Sequence, residues 1–178
     1  MVSLPNRMRP TMPEIRPEIR DATEADLPAI LAILNQAIRE TTAIWHTAEA
    51  TPEARLAWLR ERQGRGLPVL VAVDGGVVRG FASYGDFRPF AGYAATVEHS
   101  VYVDPAAQGR GIGRALLEAL VAHAQGAGLH VMVGAIEAGN AASVALHRKA
   151  GFEEAGLLRE VGRKFDRWLD LLFMTRRL

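Results

Sequence analysis

A glutamate and a histidine, Glu98 and His99, interrupt the valine-rich run TVEHSVYV, and QGRGIGRALLEAL begins five residues after its end. Such residues suit proton transfer beside a turn that can hold phosphate. A carboxylate set among valines stands in partly apolar surroundings, which raise its pKa toward the range a general base needs. A Glu facing solvent from an edge strand is the competing reading. His99 comes one position later, so it points to the opposite face and reads as a structural or rim group.

The glycines Gly109, Gly111 and Gly113 are evenly spaced. A P-loop requires Lys and Ser or Thr after its last glycine, and Arg114-Ala115 does not supply them. A dinucleotide fingerprint spaces its glycines G-x-G-x-x-G, which also fails here. What remains is Gln108-x-x-Gly111-x-Gly113 opening a helix directly after a strand. Missing side chains let a ligand approach the backbone, and free N–H groups converge at the positive end of the helix. A pyrophosphate fits there, with Arg110 and Arg114 adding charge-assisted contacts. A merely flexible turn is the other reading.

The elements that position these groups follow from periodicity. IRPEIRDAT reads as a first strand ending in a turn, and Thr23, Glu24 and Asp26 signal a helix start. Leu27, Ile30, Leu31, Leu34 and Ile38 form one helix face. Thr51-Pro52-Glu53 opens a second helix, carrying Leu56, Trp58 and Leu59. PVLVAVD and VVRGFASYGDF are strands joined through Asp74, Gly75 and Gly76 as a hairpin. A strand over 94–103, a helix over 110–125, the buried strand LHVMVGAI, a helix over 141–150 and strands near 152–161 and 168–175 complete the chain. The order β-α-α-β-β-β-α-β-α-β-β predicts an α/β (α+β) fold, a mixed and mostly antiparallel central sheet flanked by helices.

With 178 residues the chain has the length of one domain. Lys and Arg total 21 against 20 Asp and Glu, a balance that gives no field to draw the chain to nucleic acid or an acidic membrane. There is no cysteine, which excludes a thiolate nucleophile, a disulfide framework and the usual zinc clusters, and makes the cytoplasm the default location. No apolar run approaches the roughly 18 residues that span a bilayer. Residues 1–14 read as a loose tail with Met1, Met8 and Met12 as alternative starts, and 15–178 as the single domain. His46, His123 and His130 show no metal-ligand spacing, so no metal is expected.

QGRGIGRA after a strand, followed downstream by GNAASVALHRKAGF, resembles the acetyl-CoA pyrophosphate loop and second CoA-contacting region of the GNAT superfamily of N-acetyltransferases. TTAIW, YGDFRPF, TVEHSVYV and GRKFDRWLD narrow the resemblance to the branch acting on phosphinothricin and methionine sulfone or sulfoximine. It covers Ile15 to Met174. It implies acetyl-CoA as co-substrate, the α-amino group of a small amino acid as acceptor, a role in detoxification or herbicide resistance, and a homodimer. Phe87 stands where the branch often has Trp, a departure that bears on pocket shape.

The resemblance also assigns roles. With no cysteine, direct attack by the amine is the route, and Glu98 is the expected general base. Gln108, Gly109, Arg110, Gly111, Ile112, Gly113 and Arg114 hold the pyrophosphate. The backbone of Val101, Tyr102 and Val103 pairs with the pantetheine arm, with an N–H near Val101 meeting the oxyanion. Asn140 bonds a pantetheine amide, in a motif that includes Ser143. His147, seven residues after Asn140, takes a position where many relatives carry Tyr; it gives a proton to sulfur or bonds the acceptor's side-chain end, unless it is a satisfied half-buried histidine. Arg88 is the partner expected for the amino-acid carboxylate, since a guanidinium binds it bidentately. Phe87, Trp45 and Tyr93 wall the pocket, and Lys164 and Trp168 lie near the substrate or the dimer seam. Two other readings remain: an enzyme acting on a protein N-terminus, lysine or other small amine, and an acyl-CoA-binding module without chemistry.

Overall fold

Alternate residues along the second and third strands face opposite layers: Val69, Val71 and Phe81 join one core cluster, while Leu70, Ala72, Ala82 and Tyr84 join the other. A sheet buried on both faces needs such double-sided apolar runs. The computed structural model describes residues 17–178. The expected tail over 1–14, and Ile15 and Arg16 of the expected first strand, lie outside the described residues.

The elements are β1 (Glu18–Asp21), α1 (Leu27–Glu40), α2 (Pro52–Gly64), β2 (Val69–Asp74), β3 (Val77–Asp86), β4 (Thr96–Val103), α3 (Ile112–Gly126), β5 (Val131–Glu137), α4 (Ala141–Lys149), β6 (Glu153–Lys164) and β7 (Arg167–Arg177). Their order is the one expected from periodicity. The seven strands run β1-β2-β3-β4-β5-β7-β6, antiparallel everywhere except between β4 and β5. α1 and α2 pack on the cluster around Phe81, and α3 on the cluster that holds Leu116, Leu117 and Leu120. No helix of the described residues is long and apolar enough to cross a membrane.

Two boundaries differ from the sequence reading for local reasons. β4 starts at Thr96, two residues late, because Ala91–Tyr93 winds into a 3-10 turn that the Ala94 N–H closes onto Ala91. α3 starts at Ile112 because Gly111, at φ 85°, is its left-handed cap. On α1 the buried set includes Ile33 and Asn35 besides Ile30, Leu34 and Ile38. Asn35 holds the α1–α2 connection by bonding both the N–H and the carbonyl of Ala50, at 2.9 and 3.0 Å.

The parallel pairing of β4 with β5 is short. It runs from Thr96 opposite Val131 to His99 opposite Gly134 and stops there. Ser100–Val103 continue with β3 alone, while Ala135–Glu137 continue with β7. The sheet therefore forks, and one edge of β4 is open over its last four residues. The α1–α2 connection reaches the far limb of the fork, where Thr42 Oγ1 donates to Glu137 Oε2 at 3.1 Å.

The β6–β7 hairpin closes through Phe165 and Asp166, at φ 51° and 55°, the left-handed pair of a tight two-residue turn. Lys164, expected near the substrate or the dimer seam, stands at this tip with its ammonium turned inward. Its side chain is 5% exposed, and Nζ donates to the carbonyls of Ile38 (2.6 Å), Thr41 (2.7 Å) and Ile44. An ammonium has three donors, so none remains for a substrate. The cation sits on the negative C-terminal end of α1 and ties it to the hairpin tip. Replacing Lys164 with Met should strand these carbonyls and cost about 2–4 kcal/mol of stability by urea unfolding, with a smaller effect on the acceptor KM.

Candidate active site

Strand alternation along β4 sorts its side chains by face. Val97, Val101 and Val103 pack into the α3 cluster, and Tyr102 into the α1–α2 cluster. Glu98, Ser100 and Tyr102 therefore form a row on the α1–α2 face, running from beside the paired segment into the open edge. Glu98 is half-buried, and among the described residues no hydrogen bond or ion pair engages its carboxylate. Burial raises its pKa, and the Arg88 charge works against that rise.

Arg88 is exposed in the loop after β3. Its guanidinium lies 4.2 Å from the centroid of the Phe87 ring and donates to the Phe87 carbonyl at 2.7 Å. Phe87 meets Tyr93 edge-on at 5.7 Å, and both line a hollow of about 340 Å³ with Thr96, Val133 and Phe173. Phe87 and Tyr93 thus share this hollow, Arg88 lies on the Phe87 ring, and the Arg88 charge reaches Glu98. Trp45 is not part of this group. Its ring lies on Gly162 of β6, where a Cβ would come within 2.2 Å, and its indole N–H donates to Thr42 O at 2.9 Å.

His99, on the opposite face, is 8% exposed, and His147 of α4 is 4% exposed. Their Nε2 atoms are 3.2 Å apart, and the rings stack at 19° with 5.0 Å between centroids, both against the Phe152 edge. His147 Nδ1 is 2.7 Å from the Ser143 carbonyl, which can only accept. That nitrogen therefore carries the proton, His147 Nε2 accepts, and His99 Nε2 donates. The remaining nitrogen, His99 Nδ1, is a buried lone pair without a partner among the described residues. Burial and the neighbouring imidazole push the His99 pKa down to about 3, and burial also lowers that of His147. A neutral, buried ring with both nitrogens engaged is the arrangement of the satisfied histidine that the sequence left as the alternative for His147. The signal missed in the sequence is Gly134, whose absent side chain makes room for the rings; a Cβ there would sit 3.1 Å from both.

Past the open end of β4, Asp104 shapes the turn by accepting from the Ala106 N–H at 2.9 Å and from Arg79 at 3.0 Å. Gly109 (φ 74°) and Gly111 (φ 85°) both need the left-handed region. No side chain caps α3, so the N–H groups of its first turn face the turn unpartnered by a cap. Arg110 lies 3.7 Å from Asp74, and Arg114 pairs with Glu118 at 2.7 Å. Asn140 caps α4, its Oδ1 accepting from the Ser143 N–H at 3.0 Å, which leaves its NH₂ as the donating end. An open strand edge leading to an uncapped helix start over left-handed glycines fits a pantetheine arm ending in a pyrophosphate. Among the described residues no group of three or more His, Asp or Glu side chains could hold a metal ion.

The chain matches the acetyltransferase (GNAT) family over residues 30–152. It is 57% identical over 157 residues to the L-methionine sulfoximine/L-methionine sulfone acetyltransferase of Pseudomonas aeruginosa, covering 88% of this chain and 91% of that one. The crystal structure of a ribosomal-protein-alanine N-acetyltransferase from Brucella melitensis superposes with a TM-score of 0.89 at 56% identity, over 90% of this chain and 99% of the other. A GNAT superfamily phosphinothricin acetyltransferase from Sinorhizobium meliloti, solved in complex with acetyl-CoA, superposes with a TM-score of 0.90 at 36% identity, over 92% and 89%.

Gly134→Ala should force the two imidazoles apart. The overpacking is expected to cost about 1–3 kcal/mol and to shift the imidazole nitrogen resonances of His99 and His147 together, as read by NMR.

Proposed function

The chain belongs to the acetyltransferase (GNAT) family, and we propose that it transfers the acetyl group of acetyl-CoA to the α-amino group of a small amino acid with a tetrahedral, oxygen-bearing side-chain end, such as methionine sulfone, methionine sulfoximine or phosphinothricin. The observation that carries this reading is Glu98, a half-buried and unpaired carboxylate facing the fork, with Arg88 close enough to act on it.

Acetyl-CoA supplies the acetyl group as a thioester. The turn from Gln108 to Arg114 and the first N–H groups of α3 hold its pyrophosphate, and the open edge of Ser100–Val103 receives the pantetheine arm, with Asn140 donating to it. Arg88 takes the acceptor's carboxylate, while Phe87 and Tyr93 wall the pocket. Glu98, directly or through water, removes the proton that the amine loses on attack. An N–H near Val101 meets the oxyanion. A thiol is acidic enough to depart as its anion, so the sulfur leaves as thiolate and takes its proton from solvent, without His147.

A second acceptor class has one specific support: the Brucella melitensis relative is named a ribosomal-protein-alanine N-acetyltransferase. We further propose that the chain pairs with itself through the β6–β7 hairpin, whose Leu157, Leu158, Val161, Phe165 and Trp168 are exposed.

Thiol release from acetyl-CoA, measured with the three amino acids and with an alanine-initiated peptide, tests the acceptor. Turnover on the amino acids is expected; turnover on the peptide alone would overturn the reading. Glu98→Gln should lower kcat about 10²- to 10⁴-fold with little change in acetyl-CoA affinity. Because the base is the deprotonated form, kcat/KM should fall as pH drops through a Glu98 pKa lying above the ordinary carboxylate value. Arg88→Ala should raise the amino-acid KM and, by removing the opposing charge, move that acid limb to higher pH. Trp168→Asp should shift sedimentation from dimer to monomer.

A further inference from the structure

β3 outlasts one of its neighbours. Its ladder with β2 ends at Val69 opposite Ser83, and the next residue along, Pro68, has no N–H with which to extend it. Tyr84, Gly85 and Asp86 therefore continue with β4 alone, opposite His99, Glu98 and Val97. This short end holds the cross-strand neighbour of Glu98 and leads straight into Phe87 and Arg88. A segment tied from one side only is the kind that opens locally.

The last turn of α2 stands in for the missing strand. Arg62, half-buried there, donates from Nη1 to the Tyr84 carbonyl at 2.5 Å. Its guanidinium fills the space that Gly85 leaves: a Cβ at Gly85 would stand 1.9 Å from Nη1, 2.7 Å from Cζ and 2.8 Å from Nη2. Gly85 and Glu98 are directly opposite, and residues so paired share a face of the sheet. The guanidinium thus lies on the face of Glu98, over the neighbouring strand. Three residues further on, Arg65 Nη2 donates to both oxygens of Asp86, at 2.8 and 2.7 Å. Both members of that pair are exposed, and exposed pairs hold little. Arg62 is the stronger tie.

We propose that Arg62 is a positioning residue for the acceptor: from the slot over Gly85 it fixes the end of β3, and with it Phe87 and Arg88, and so sets the enzyme's affinity for the amino acid. This rests on the amino-acid reading above. Arg62 acts through the strand and not by touching the acceptor. A displacement of about 1 Å remote from the chemistry costs about a hundredfold, so the fastening of three residues beside the base bears directly on turnover. The groups assigned to acetyl-CoA lie on other elements, on Ser100–Val103, the 108–114 turn and the start of α4. The effect is therefore confined to the acceptor half of the site.

The test follows thiol release with methionine sulfone and acetyl-CoA varied in turn. Arg62→Met, which keeps an unbranched apolar stem without the donors, should raise the methionine sulfone KM about tenfold or more and leave the acetyl-CoA KM unchanged. Arg62→Lys keeps a charged donor for the Tyr84 carbonyl and should recover part of the loss. Gly85→Ala reaches the same state from the other side, because its Cβ must push the guanidinium, the far end of a flexible chain, out of the slot. The double variant Arg62→Met, Gly85→Ala should then cost no more than the worse single one, since both act through one contact. An unchanged acceptor KM with a lowered melting temperature overturns the assignment and leaves the amino-acid reading intact. So does an equal rise in both KM values, or losses that multiply in the double variant. Wild-type protein silent on every amino acid overturns that reading and the role of Arg62 with it. Where a thermal melt shows that Arg62→Met fails to fold, Gly85→Ala, which leaves the arginine in the chain, decides.

Discussion

The early end of the β4–β5 pairing is the constraint on which the rest depends. Parallel strands that stayed paired would consume the backbone groups of Ser100–Val103; because pairing stops at His99 and Gly134, those groups face a gap instead. Backbone polar groups must find partners in protein, water or ligand. The fold meets this requirement by enclosing the gap. α3 and α4 lie on one side, and the α1–α2 connection is fastened across the far limb through Thr42 and Glu137. Asn35 and Lys164 hold that connection from behind, one by bonding Ala50 and the other by gathering the last carbonyls of α1.

One strand serves two different environments at the fork. Toward α1 and α2 it shows Glu98, Ser100 and Tyr102. Toward α3 and α4 it shows Val97, His99, Val101 and Val103, which pack. The two adjacent titratable residues are therefore separated in role by the pleat alone. Glu98 keeps an unengaged carboxylate with a raised pKa, whereas His99 is neutral and bonded to His147. The imidazole pair sits at the apex of the fork, opposite a glycine that leaves it room, and it joins α4 to β4 where the sheet's own hydrogen bonds run out.

Much of this was legible in the chain. Local signals placed all eleven long elements in order, and Gln108-x-x-Gly111-x-Gly113 located the uncapped helix start, since left-handed glycines and helix ends are written within a few residues. Resemblance to a family supplied the expectation of a pantetheine arm along Val101–Val103 and of Glu98 as base, which no spacing in one sequence can show. What stayed hidden depends on contacts between distant segments. Lys164 looked like a surface or substrate cation because its three acceptors lie more than a hundred residues away. His147 looked reactive because its partner is 48 positions upstream.

The outer strand β6 has its own logic. Its ladder with β7 slips between Glu154 and Gly156 and again between Leu158 and Gly162, where Glu160 takes a φ of 53° and its N–H bonds the Asp170 carboxylate at 2.8 Å. These bulges spoil the straight run of donors and acceptors that an edge otherwise offers to any passing strand. A neighbour arriving here finds apolar side chains to pack against but no continuous backbone template to extend. The terminal strand thus permits association that closes on itself and resists the open-ended, sheet-by-sheet growth that leads to fibres.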